Sequence, residues 1–244
     1  VVVGAGTMGA ALAAHFANAG IPTTLLDIVP FKLTEKEEKK GLTREDKTVR
    51  YRIVNDGLMA AKKSRPASFF SSYQHELVKV GNLEDDFDVI AEADIVVEAI
   101  IENLEIKQDL MKRIDAIRKE TAIIATNTSG IPVKDIAAEL SDSFKGHFLG
   151  MHFFNPPRYL KLLEVIPTDD TLSTVVDFVK YFGSYHLGKG IVLCKDTPNF
   201  IGNRLAFGTG AFASIIFSKM ISASKKWIWS RGKLWVAPKR LLSA

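Results

Sequence analysis

Short runs of β-branched and other apolar residues alternate along this chain with stretches whose apolar residues recur every three to four positions. The short runs predict strands at Val1–Val3, Thr23–Asp27, Leu77–Val80, Asp94–Ala99, Ala122–Thr126, Phe148–His152, Leu162–Ile166 and Ile191–Cys194. The longer stretches predict helices over Met8–Ala19, Leu104–Glu120 and Leu172–Phe182. In the second of these, Leu104, Leu110, Met111, Ile114 and Ile117 fall on roughly one face. Gly20 follows the first helix where a left-handed cap belongs. Such alternation predicts an α/β fold: a doubly wound, mostly parallel sheet with helices on both faces. Residues 31–66 break the pattern. They are dense in Lys, Glu and Arg and poor in large apolar residues, which predicts an exposed helical excursion from the sheet. A solvated hairpin is one reading of it; a basic surface for a phosphorylated ligand is the other.

Composition adds a few limits. Of 244 residues, 47% are apolar, enough for a sizeable core, and 25% are charged, as in ordinary globular chains. No run approaches the ~18 apolar residues of a membrane helix. The single cysteine, Cys194, excludes an internal disulfide and predicts a reducing, cytoplasmic setting. The apolar start lacks a basic leader and a cleavage site, so no signal peptide is expected. The formal charge of +4 is unevenly spread. Residues 221–244 carry six basic residues, no acid and all three tryptophans; the rest holds 26 basic against 28 acidic residues, or −2. The body therefore gives no charge-based reason to expect nucleic acid or an anionic membrane as partner.

Gly4-Ala5-Gly6-Thr7-Met8-Gly9 follows a β run and opens a helix. In a dinucleotide site Gly4 would permit the tight turn, Gly6 would let a pyrophosphate approach the backbone, and Gly9 would let helix and strand pack closely. The phosphates would then meet the helix N-terminus beside Thr7 and Met8. Asp27 ends the next β run, 18 residues past Gly9, placed to accept hydrogen bonds from the adenosine ribose. A carboxylate there repels a 2′-phosphate, so NAD is expected rather than NADP.

Further along stand Asn127-Thr128-Ser129-Gly130, His152-Phe153-Phe154-Asn155-Pro156, Glu164 within Leu162–Ile166, and Lys195–Arg204. Most of these polar groups end or follow a predicted strand, where ligands of open α/β sheets bind. Oxidising an alcohol needs a base for the hydroxyl proton, and His152 titrates in the right range. A carboxylate on the other ring nitrogen would stabilise the imidazolium. Glu164 is a candidate, because an unpaired carboxylate inside an apolar strand is costly. Taken alone, His152 reads more readily as a satisfied structural histidine. His15, His75, His147 and His186 show no partner pattern and read as structural or surface residues. Cys194, in an apolar run, reads as an inert buried thiol. No Cys/His cluster has metal-ligand spacing, so no metal is expected.

With these phrases in hand, the chain resembles the L-3-hydroxyacyl-CoA dehydrogenase family of fatty acid β-oxidation. It is most similar to the long bacterial type fused to an enoyl-CoA hydratase. The resemblance runs from Val1 to about Arg204 and is carried in order by GAGTMG, ADIVVEAIIENLEIK, ATNTSG, GMHFFNPPRYLKLLEVI and GKGIVLCKDTPNFIGNR. It implies a Rossmann-like NAD-binding domain at 1–196 and the truncated start of an all-α C-terminal domain at 197–244. It implies NAD-dependent interconversion of (S)-3-hydroxyacyl-CoA and 3-oxoacyl-CoA, with His152 as acid/base and Glu164 orienting it. Ser129 and Asn203 would position the 3-hydroxyl and thioester end of the substrate. Asn155 would lie near the nicotinamide, and Glu102 and Lys107 beside its ribose. The coenzyme A part of the acyl-CoA substrate would run along residues 31–66, and full-length members would form homodimers in a bacterial cytoplasm. An inactive NAD-binding remnant or a structural relative of the same fold is the alternative.

The resemblance stops after Arg204, and the genetic code suggests why. Tryptophan has one codon, so the frame read from third bases gives Asp at Trp227-Ile228 and Gly at Trp235-Val236. One permitted choice of codons over Trp235–Ala244 then reads GRPKTATFR, a string expected in the family's helical domain. Residues from about 221 to 244 are therefore read as an out-of-frame tail that begins somewhere between Phe207 and Ile221.

Overall fold

A computed structural model describes residues 1–206 and 208, and the tail from 209 lies outside the described residues. The chain divides into two units, Val1–Phe200 and a second beginning at Ile201. The first unit contains all the strands among the described residues. In chain order these elements are β1 (Val2–Val3), α1 (Thr7–Asn18), β2 (Thr23–Asp27), α2 (Glu35–Lys39), α3 (Lys47–Arg50) and α4 (Arg52–Lys63). Next come β3 (Val78–Asn82), β4 (Ile95–Glu98), α5 (Leu104–Asp115), β5 (Ile123–Thr126), α6 (Val133–Ile136) and α7 (Asp142–Gly146). Last are β6 (Phe148–Phe153), β7 (Leu162–Pro167), α8 (Ser173–Tyr181) and β8 (Gly190–Leu193).

The eight strands form one sheet in the order β3-β2-β1-β4-β5-β6-β7-β8. All neighbours are parallel except β6 and β7. From β1 the chain runs outward to β2 and β3, then returns to β4 on the other side of β1. This reversal makes the carboxyl ends of β1 and β4 the switch point where such sheets bind ligands.

Alternation along the strands builds two cores. Val2, Leu25, Val97, Leu149 and Val165 point to the face covered by α1, α4 and α8. Their neighbours Val3, Leu26, Val96, Ile124 and Phe148 point to the other face, covered by α5 and by Phe144 of α7. The period of two puts consecutive residues on opposite faces, and both faces are apolar because helices cover both.

All eight expected strands are present, shifted by a residue or two. The helix expected to reach Glu120 stops at Asp115. There Arg118 turns back on the chain and donates to the carbonyls of Lys119 and Glu120 and to Asp115. The 31–66 excursion is only partly the solvated hairpin expected. α2 buries nothing, but α4 packs Val54, Leu58 and Ala61 onto the sheet-facing core along one stripe. Its Gly57 lies so close to the glycine turn that a Cβ there would stand 2.1 Å from the Ala5 carbonyl oxygen.

Candidate active site

The glycine turn closes off the carboxyl end of β1. Gly4 takes φ +104°, and a Cβ there would meet the Ala99 carbonyl oxygen at 2.5 Å. A Cβ on Gly9 would sit 1.7 Å from the Gly4 oxygen, so α1 can cross the strand only with glycine at that position. Gly6 differs: a Cβ there would meet nothing within 4 Å, so the chain's own packing does not require a glycine. Gly6 is the N-cap of α1, no side chain caps that end, and the first turn holds no acid. The twelve-residue helix thus presents free amides and its positive end to a cleft of about 390 Å³. Thr7, Ser64, Arg65 and Asn155 also line it.

Asp27 is tied to the same turn. Its carboxylate accepts from the Ala5 amide at 2.5 Å and the Ile28 amide at 2.6 Å, which holds it against the turn with lone pairs to spare. Met8 packs against the core beneath α1. These residues fit a dinucleotide: an open glycine over free helix amides for the pyrophosphate, and a fixed carboxylate at the end of β2 for ribose hydroxyls.

His152 and Glu164 come together through the one antiparallel pairing. His152 on β6 and Glu164 on β7 are direct register partners, so their side chains share a face. His152 Nδ1 and Glu164 Oε2 are 2.7 Å apart, and the residues are 3% and 0% exposed. The pair is therefore desolvated on both sides. The Glu164 Oε1 oxygen lies 3.5 Å from the Cys194 thiol, which is buried as expected. The other ring nitrogen, Nε2, lies 3.2 Å from the Ser129 hydroxyl. Ser129 sits in the turn after β5. Asn127 steadies that turn by accepting the Phe153 amide at 2.9 Å, tying the ends of β5 and β6 together.

Glu102 braces the same turn. It accepts hydrogen bonds from the amides of Ser129 and Gly130, both at 3.0 Å, and from the Thr128 hydroxyl. Burial alone would raise its carboxyl. The Thr128 hydrogen bond, the Lys107 ammonium and the two amides hold it below its ordinary value instead. Lys107, on the first turns of α5 and 1% exposed, lies 3.4 Å from Glu102 and 2.6 Å from Glu98.

The first unit thus brings together Ser129, His152 and Glu164, and places Glu102 and Lys107 beside them. Asn155 lies in the wall of the cleft that Gly6 opens. Asn203 belongs to the second unit, in the helical stretch 202–206. The sequence reading assigned no role to Glu98, which is fully buried at the end of β4. Its signal was the one that singled out Glu164, a carboxylate inside an apolar strand. Among the described residues no group of His, Cys, Asp or Glu could hold a metal ion. No helix among them is long and apolar enough to cross a membrane.

Comparison with known proteins identifies the family. The family described as 3-hydroxyacyl-CoA dehydrogenase, NAD binding domain, matches residues 1–197. A probable 3-hydroxyacyl-CoA dehydrogenase of Bacillus subtilis is 50% identical over 204 residues, covering 84% of this chain and 26% of that protein. One of Deinococcus radiodurans is 47% identical, covering 84% of this chain and 55% of that protein. The chain therefore spans between about a quarter and about half of these relatives. The crystal structure of (S)-3-hydroxybutyryl-CoA dehydrogenase from Ralstonia eutropha matches with a TM-score of 0.62 and 30% identity. That match covers 84% of this chain and 66% of that one.

Proposed function

The chain belongs to the 3-hydroxyacyl-CoA dehydrogenase family through its NAD-binding domain, and we propose that its site interconverts (S)-3-hydroxyacyl-CoA and 3-oxoacyl-CoA. One observation carries the reading: a buried His152–Glu164 pair with the Ser129 hydroxyl 3.2 Å from the other ring nitrogen, at the strand ends beside an open glycine turn.

When bound, NAD supplies the hydride acceptor for oxidation and, as NADH, the donor for reduction. The chain's own groups handle the proton. Glu164 accepts from Nδ1, which fixes the tautomer and leaves Nε2 as the basic nitrogen. In oxidation Nε2 takes the proton of the substrate 3-hydroxyl, and the Glu164 carboxylate stabilises the imidazolium in its dry surroundings. In reduction the same nitrogen returns the proton to the carbonyl oxygen. The Ser129 hydroxyl holds the reacting oxygen within reach of Nε2. Asp27 would hold the adenosine ribose and the α1 amides the pyrophosphate, while Asn155 would lie near the nicotinamide and Glu102 and Lys107 beside its ribose. Asn203, from the second unit, belongs to the same reading as a substrate-positioning group. So do a cytoplasmic setting, an acyl-CoA partner and a homodimer for full-length members; nucleic acid and membrane do not.

The test is product formation. Incubated with NADH and acetoacetyl-CoA, the chain is expected to yield (S)-3-hydroxybutyryl-CoA in step with NADH loss. NADH binding without any product would make it a nucleotide-binding remnant and overturn the reading.

A further inference from the structure

Glu98 fastens three separate segments with one buried carboxylate. Oε1 accepts from the Ile100 amide at 2.7 Å and from Lys107 Nζ at 2.6 Å; Oε2 accepts from the Thr126 hydroxyl at 2.6 Å. Each partner leads to a part of the site. The Ile100 amide belongs to the stretch beneath the glycine turn, where Ala99 closes on Gly4. Thr126 ends β5 and its oxygen accepts the Thr128 amide at 3.2 Å, in the turn that carries Ser129. Lys107 pairs with Glu102, which in turn holds the Ser129 and Gly130 amides and the Thr128 hydroxyl. The contacts form a closed ring: Glu98, Thr126, Thr128, Glu102, Lys107 and back to Glu98.

Stability does not call for such a ring. A buried ion pair loses hydration that its attraction only about offsets, and apolar residues of the same volume would serve the core as well or better. Its location is the informative feature. It lies at the switch point of the sheet, between the glycine turn and the Ser129–His152 pair.

We propose that Glu98 is a positioning residue of the cofactor site, holding Lys107 in place so that Lys107 can hold Glu102 and the Ser129 turn against the bound dinucleotide. The proposal rests on the reading that NAD binds at this end of the sheet. The charged groups facing Lys107 are Glu98 on β4 and Glu102 on the loop before α5. With Glu98 replaced by glutamine, Glu102, at 3.4 Å and half-exposed, is the carboxylate left to Lys107 among the described residues.

The experiment is NADH affinity of the whole chain, by fluorescence titration at pH 7.5, for the wild type, Glu98→Gln, Glu98→Asp, Lys107→Met and the Glu98→Gln/Lys107→Met double variant. Glu98→Gln is expected to bind about tenfold more weakly, and Glu98→Asp, which keeps the carboxylate, to recover most of that loss. Lys107→Met is expected to lose about as much as Glu98→Gln. The double variant should match Lys107→Met within about twofold, because Glu98 acts through Lys107. Wild-type affinity in Glu98→Gln or Lys107→Met, or losses that multiply in the double variant, overturns the proposal. Should Glu98→Gln fail to fold, the double variant leaves no lone buried charge. Its comparison with Lys107→Met then decides: equal affinity supports the proposal, and a further tenfold loss overturns it. Failure of the wild type to bind NADH overturns the cofactor reading and this proposal with it. Wild-type binding that the variants do not disturb overturns this proposal alone.

Discussion

Replacing Gly6 with alanine separates a requirement of the fold from a requirement of the cofactor. Gly6 has φ −65° and ψ −175°, an extended conformation that alanine adopts freely, and its added methyl would touch nothing within 4 Å. The loss of chain entropy favours alanine by about 0.4–1 kcal/mol, while an alanine N-cap costs a similar amount relative to glycine. The two offset, and the melting temperature should stay within about 3 °C, since 1 kcal/mol shifts a domain of this size by roughly 2–4 °C. The methyl would stand where the pyrophosphate must approach the first amides of α1. Displacing a phosphate from one charge-assisted hydrogen bond costs about 1.5–3 kcal/mol. At tenfold per 1.4 kcal/mol, NADH should bind roughly 10- to 140-fold more weakly. Calorimetric or fluorescence titration with NADH, alongside thermal melts, reads both quantities. A Gly6→Ala protein that melts normally and binds NADH within threefold of wild type would refute the placement of the dinucleotide.

Other perturbations test other parts of the account. Gly57→Ala puts a methyl 2.1 Å from the Ala5 carbonyl, so α4 or the glycine turn must move; a loss of about 1–3 kcal/mol and weaker NADH binding should follow, and unchanged melting and affinity would contradict it. His15 is held neutral down to about pH 4, by burial first and by the Lys189 ammonium second. The unfolded chain takes up that proton near pH 6.5, so it binds more protons than the native state between those values and stability falls as pH drops through the window. Urea midpoints should show the wild type losing roughly 2 kcal/mol more than His15→Leu between pH 7 and pH 4.5; equal losses would exclude His15 as the cause. For the tail, DNA past codon 205 should contain a frameshift that restores the family's helical-domain sequence, and an intact frame with incompatible codons would refute it.

The dinucleotide turn was legible because its requirements are local: Gly4, Gly6 and Gly9 serve one tight turn and one helix start, and Asp27 follows at the next strand end. His152 and Glu164 were legible through chemistry, since a carboxylate in an apolar strand needs a partner. Their contact was not, because it depends on β6 and β7 being antiparallel. The short connection between Phe153 and Leu162 held that information, for a parallel crossover needs a dozen residues or more. Glu98 carried the same signal as Glu164 but stood in a strand without a histidine to suggest chemistry. Its partners Thr126 and Lys107 come from the next strand and helix, and only the folded sheet brings them within reach. Gly57 was silent in the sequence, since nothing local calls for glycine in mid-helix; its need arises from α4 lying on the Ala5 carbonyl.

The central claim is that His152, backed by Glu164, moves the proton that accompanies hydride transfer. It is tested most directly by single-turnover reduction of acetoacetyl-CoA by NADH, with the protein in excess so that slow turnover is still seen, comparing wild type with His152→Gln. The account predicts that His152→Gln binds NADH as the wild type does and reduces the substrate at least about 100-fold more slowly, the scale of a positioned acid/base. Equal rates from the two proteins would contradict it.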